Sequence, residues 1–312
     1  MKVALIQQAF KGNKAATKAH TCELIKKAAQ AKAQLVCLCE LHQERYFCQL
    51  ERVENFDLAN EYEKDLEFWG KIAKENAVVL VVSLFEKRTA GLYHNTALVF
   101  EKDGRIAGKY RKMHIPDDPN FYEKFYFTQG DLGFEPINTS VGRLGVLVCW
   151  DQWFPEAARI MALKGAQMLI YPTAIGWFDG DDEDEKQRQL EAWVAVQRGH
   201  AVANGLPTLA INRVGFEKAS ECAFCGENDG KKANSSQNLA KMSDGIRFWG
   251  NSFAFGAQGE ELFRANATDE NAFFVELDLS QSERVRRWFP FLRDRRIESY
   301  APLLKRFDDE MP

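Results

Sequence analysis

Residues 77–85 read AVVLVVSLF, and residues 35–39 read LVCLC. Neither run alternates apolar with polar as a half-buried strand does; both are apolar on successive residues, as expected of strands covered on both faces. Working outward, strand-like segments recur at Val3–Ala9, Leu35–Leu41, Val78–Phe85, Leu92–Phe100, Leu144–Cys149, Met168–Tyr171, Pro207–Asn212 and Phe273–Leu279. Between them, three- and four-residue apolar spacing predicts helices at about 13–30, 61–75, 155–165 and 186–204. The alternation predicts an α/β protein with buried sheets.

The remaining features set the class. The chain has 312 residues, 46% hydrophobic and 28% charged, with a formal net charge of −4. No Lys/Arg stripe stands out, which argues against nucleic acid or an anionic membrane as partner. The opening MKVALIQQAF reads as a first strand rather than a signal peptide, and no apolar run reaches the ~18 residues of a membrane span. Seven irregularly spaced cysteines predict reduced thiols and a cytoplasmic protein. No internal repeat or linker divides the chain, so a single domain over 1–312 is expected. Two loops are predicted: DGDDEDEK at 179–186, and a long polar insertion from about 215 to 246.

The chemistry centres on GVLVCWDQWFPEAAR, residues 145–159. Cys149 ends an apolar strand; Pro155 and Glu156 suit the first turn of a following helix. A cysteine on such a turn is lifted from the sheet edge, and helix N–H groups would favour its thiolate. A buried core thiol fits the same local pattern. None of the five histidines, His20, His42, His94, His114 and His200, sits in a papain-like context. Charged residues at the ends of apolar strands are the next candidates for a base: Glu40 after LVCLC, and Lys112 in GKYRKMHIP.

Glu40, Lys112 and Cys149, in that order, resemble the Glu–Lys–Cys triad of the nitrilase (carbon–nitrogen hydrolase) superfamily. KYRKMHIPDDPNFYEKFYFTQGD and VLVCWDQWFPEAARIMALKGAQMLIYPTAIGW are similar to its N-carbamoylputrescine-hydrolysing branch, and the likeness runs from VALIQQAF to WFPFLRDRR. The resemblance implies a four-layer α-β-β-α sandwich and a homo-oligomer acting on a small carbamoyl amine. Neither metal nor organic cofactor is implied. Cys149 would be the nucleophile and Glu40 the general base, kept ionised by the neighbouring ammonium of Lys112. Lys112 and the backbone N–H of Trp150 would hold the oxyanion, and Glu123 would orient the lysine. Tyr46, His114, Trp153, Ala174 and Ile175 are the expected substrate contacts.

Three features leave alternatives open. The chain reads ELHQERYFCQ after Glu40, and Arg45, if it faced the pocket, would favour a carboxylate-ended substrate such as N-carbamoyl-β-alanine. Another aliphatic amide is also compatible. The acidic run 181–185 could gather a cationic substrate or be merely solvated. Cys222 and Cys225 supply only half a tetrahedral zinc site. A catalytically retired scaffold subunit is the rival from another class, and the intact triad argues against it.

Overall fold

The computed structural model describes residues 1–178, 180–219 and 245–308. The first sheet is built from β1 (Lys2–Gln7), β2 (Leu35–Leu38), β3 (Val79–Thr89), β4 (Leu92–Phe100), β5 (Ile106–Arg111) and β15 (Asn271–Glu276). Its order is β15-β1-β2-β3-β4-β5, with β1, β2 and β3 parallel. The register aligns Val3, Leu35 and Val79 across the three strands, and likewise Leu5, Cys37 and Val81.

That register explains the doubly apolar runs. Val3, Leu5, Leu35, Cys37, Val79 and Val81 enter the core facing the second sheet. Their sequence neighbours Ala4, Ile6, Val36, Leu38, Leu80 and Val82 pack on the opposite face. There they meet α1 (Lys14–Gln30) through Leu24, Ile25 and Ala28, and α2 (Tyr62–Asn76) through Trp69 and Ala73. Burying each such side chain contributes roughly 1.5–3 kcal/mol, so polar residues on either face would be costly.

The second sheet comprises β6 (Ile137–Thr139), β7 (Gly142–Val146), β8 (Met168–Pro172), β10 (Thr208–Ile211), β13 (Phe253–Phe255) and β14 (Glu261–Arg264), in the order β14-β13-β10-β8-β7-β6. On its outer face lie α4 (Pro155–Leu163) and α5 (Glu183–Asn204), which join the core through Ala157, Ala158, Met161, Trp193 and Ala201. The layers are therefore α-β-β-α. A small third sheet of β11 (Val214–Lys218), β12 (Gly245–Trp249) and β9 (Gly176–Phe178) stands at the sheet ends near the site.

Two loop expectations are corrected. Glu183–Lys186 are not loop but the first turn of α5. Asp182 caps that helix by accepting from the Glu185 N–H at 2.8 Å, and the acidic residues complement the positive helix end. The predicted insertion at 215–246 begins and ends in strand, since β11 runs to Lys218 and β12 starts at Gly245. Cys222 and Cys225 lie outside the described residues. Cys37 and Cys39 are buried free thiols, Cys48 is buried and Cys22 is half-buried, as their apolar surroundings in the sequence suggest. Among the described residues, no helix is long and apolar enough to cross a membrane.

Candidate active site

Glu40 and Lys112 each stand just beyond a strand. Glu40 follows β2 in a tight turn, and the next residue, Leu41, adopts φ +46°. The turn is pinned at two N–H groups: Glu40 donates to the Thr173 carbonyl at 3.3 Å, and Leu41 donates to Ser83 Oγ at 3.1 Å. Lys112 follows β5, and its N–H donates to the Asn95 carbonyl on β4 at 2.9 Å. Glu123 opens the short helix α3 (Glu123–Tyr126).

These elements bring one ammonium between two carboxylates. Lys112 Nζ donates to Glu40 Oε1 at 2.8 Å and to Glu123 Oε2 at 2.6 Å, with all three side chains essentially removed from solvent. Burial alone would pull the lysine pKa down. The Glu123 and Glu40 carboxylates outweigh it and hold Lys112 well above its ordinary value, fully charged. Burial pushes the Glu123 carboxyl up, against the opposing pull of Lys112. Tyr46 donates its hydroxyl to Glu123 Oε1 at 2.7 Å, and burial beside that carboxylate raises its own pKa.

Cys149 stands at the start of a 3₁₀ turn, Cys149–Trp153, three residues beyond the end of β7, with Pro155 at the first position of α4. Its φ of +42° is a left-handed conformation for a residue with a Cβ, a strain of order 1–3 kcal/mol that tightly packed sites retain. The thiol donates weakly to the Ala174 carbonyl at 3.8 Å. Burial, and then the negative charge of Glu40, push its pKa well up, while Lys112 opposes. The shift runs opposite to that of a helix-stabilised thiolate, because desolvation beside a carboxylate outweighs what a single short turn supplies. A base is therefore needed, and Glu40 Oε2 is buried with no hydrogen-bond partner among the described residues.

The other expected site residues divide by what they touch. The Trp150 N–H is one of the first donors of the 3₁₀ turn, which helix starts leave without an intrahelical partner. Ala174 is buried beside Cys149, and Ile175 is clamped by Asn212, whose Oδ1 accepts from its N–H and whose Nδ2 donates to its carbonyl, both at 3.0 Å. Trp153 is half-buried, with its ring 6.4 Å from that of Trp150. His114 is engaged by Asp151 Oδ1 at 2.7 Å and stacks on Phe154 at 3.7 Å. The Arg45 guanidinium lies over the Phe10 ring at 4.9 Å, and Gln43 links Asp65 to Trp69.

Sequence reasoning missed two residues that touch the triad or its frame. Asn95 Nδ2 donates to Glu40 Oε1 at 2.7 Å, while its Oδ1 accepts from Ser83 Oγ at 3.1 Å, which fixes the amide orientation. Buried Asp151 accepts from Val148 N–H and Tyr110 Oη at 2.9 Å each. The available signal was polar residues inside apolar strands: Ser83 in AVVLVVSLF, and His94-Asn95-Thr96 in LYHNTALVF.

A sandwich of two sheets with a cysteine, a lysine and two glutamates gathered beyond the strands is the arrangement of a hydrolase acting on C–N bonds. The carbon-nitrogen hydrolase family model matches residues 2–287, and the chain belongs to that family. It is 40% identical to an N-carbamoylputrescine amidase of Oryza sativa subsp. japonica, covering 90% of this chain and 87% of the relative. It is 34% identical to a citrullinase of Francisella tularensis, covering 98% and 99%. Among solved structures, a carbon-nitrogen hydrolase from Helicobacter pylori G27 superposes with a TM-score of 0.91 at 53% identity, covering 99% of both chains.

Proposed function

We propose that this protein hydrolyses the carbamoyl C–N bond of N-carbamoylputrescine to putrescine, ammonia and carbon dioxide. The observation that carries the chemistry is the Lys112 ammonium held at 2.8 and 2.6 Å between Glu40 and Glu123, beside the buried Cys149. The rice relative supports the choice of substrate.

Glu40 Oε2 takes the thiol proton as Cys149 Sγ attacks the carbamoyl carbon. Lys112 Nζ and the Trp150 N–H stabilise the oxyanion; each such donor is worth about 3–4 kcal/mol of barrier. Glu40 returns the proton to the departing ammonia, leaving the alkylcarbamoyl group on sulfur. Water, deprotonated by Glu40, then attacks the same carbon, and the thiol is restored. The released alkylcarbamate loses carbon dioxide and frees the amine. Glu123, anchored by Tyr46, holds Lys112 in place throughout.

A second reading has one observation behind it: the citrullinase relative is named for a substrate with the same terminal ureido group on an amino-acid chain. Steady-state rates on N-carbamoylputrescine, citrulline and N-carbamoyl-β-alanine decide between them. A kcat/KM highest for carbamoylputrescine is expected, and a preference for either amino acid would overturn the substrate assignment.

The buried free thiols of Cys37 and Cys39 support a cytoplasmic setting. A homo-oligomer is supported by the C-terminal segment, where Trp288, Ile297, Leu303, Leu304 and Phe307 are exposed large apolar side chains. Sedimentation of the intact chain and of Leu304→Asp measures whether that segment joins copies.

A further inference from the structure

Arg213 directly precedes β11 and is one of the largest fully buried side chains. It does not touch the Glu40 carboxylate. Its guanidinium instead collects the backbone of the turn that carries it. Nη1 donates to the carbonyls of Glu40 at 3.3 Å and Leu41 at 3.0 Å; Nη2 donates to the carbonyl of Glu44 at 2.7 Å. Nη2 also donates to Glu217 Oε1 at 2.6 Å, and Glu217 Oε2 accepts from the Tyr46 N–H at 2.7 Å. The Phe248 ring faces the guanidinium at 5.3 Å.

The arrangement answers a specific problem. A buried turn with Leu41 at positive φ leaves carbonyls that no strand can satisfy, and such groups are rarely left unpaired. One planar guanidinium meets three of them at once; a lysine ammonium, a point donor, cannot reproduce that fork. Stability alone is a poor explanation, because a buried ion pair often contributes no more than well-packed apolar residues would. What this pair adds is a fixed position for residues 40–46, the turn that presents Glu40 to Cys149 and Tyr46 to Glu123.

We infer that Arg213, braced by Glu217, is a positioning residue that sets Glu40 as the base for Cys149. The inference rests on the assignment of Glu40 as base. It is tested on the full chain with Arg213→Lys, Glu40→Gln and the double variant, reading kcat, KM and the rate of Cys149 alkylation by iodoacetamide. Arg213→Lys is expected to lower kcat by about 10²-fold with KM unchanged, the loss typical of a misplaced group near the chemistry. Alkylation should slow with kcat, and the substitution should add no further slowing once Glu40 is Gln. Wild-type kcat with only a lower melting temperature would overturn the proposal. So would equal slowing of alkylation in both backgrounds. Alkylation of Glu40→Gln at the wild-type rate would instead remove Glu40 as base, and the proposal with it. If Arg213→Lys does not fold, Arg213→Met/Glu217→Met removes the grip without leaving an unpaired charge; it should show the same kcat loss, and wild-type kcat there overturns the proposal equally.

Discussion

Asp151 and His114 tie the Cys149 turn to the Lys112 segment: Asp151, two residues after Cys149, accepts from the backbone N–H of His114 at 3.0 Å and engages its Nδ1 at 2.7 Å, two residues after Lys112. The same carboxylate accepts from Val148 N–H and Tyr110 Oη. A single buried side chain thus sets the spacing of two segments that meet nowhere else in sequence.

Asp151→Asn keeps the shape but turns an –NH₂ group toward donors. It should destabilise the fold by about 1–3 kcal/mol, the cost of buried polar groups left unpaired, and lower kcat through Lys112. Urea unfolding and steady-state kinetics on the same preparation measure both. A stable variant with full activity would show that the link is dispensable.

Cys149→Ala and Glu40→Gln should each lower turnover by at least about 10⁴-fold, because attack and proton transfer are single-residue tasks. Glu40→Gln should keep the wild-type fold by circular dichroism. Lys112→Ala should lose activity too, but at a cost of roughly 3–5 kcal/mol, since two buried carboxylates lose their shared cation. Near-normal turnover in any one of the three would remove that residue from the mechanism.

Burial and the Glu40 charge hold the Cys149 thiol well above its ordinary pKa. At neutral pH the thiolate ultraviolet absorbance of the wild type should match that of Cys149→Ala. A thiolate band present only in the wild type at neutral pH would mean that the nucleophile is pre-ionised and needs no base.

Away from the site, Glu86 carries an acid-sensitivity prediction. Burial would raise its carboxyl, but hydrogen bonds from Arg111, Lys109 and Thr96 lower it to about 2, from 4.5 in the open chain. A depressed carboxylate stabilises the fold above the unfolded pKa, and that contribution is lost as pH falls through the folded value. Unfolding free energy of the wild type should therefore drop between about pH 4.5 and 2 by more than that of Glu86→Gln. Parallel acid limbs would contradict the pairing.

Much of this was readable from local pattern. Successive apolar residues in LVCLC and AVVLVVSLF demanded two covered faces, and Val79 and Leu80 do point into different cores. Pro155 started α4 where its missing N–H costs nothing. The N-terminus of α5 was hidden because DDEDE has loop-like composition, although those same acids suit a first helical turn. Arg213 and Asp151 were illegible for another reason. Each acts on residues that are distant in the chain, up to 173 positions for Arg213 and Glu40, and only the packed sheets bring them together. Glu40, Lys112 and Cys149 were candidates from their places at strand ends, but local pattern left each an equally plain solvated or core reading, and only the resemblance joined them in one mechanism.

The central claim is that Cys149 carries the carbamoyl group. Rapid quenching of N-carbamoylputrescine turnover in acid, followed by peptide mass spectrometry, tests it directly. An N-(4-aminobutyl)carbamoyl adduct on the peptide containing Cys149, absent from Cys149→Ala, is predicted. An adduct on another residue, or turnover by Cys149→Ala, would contradict it.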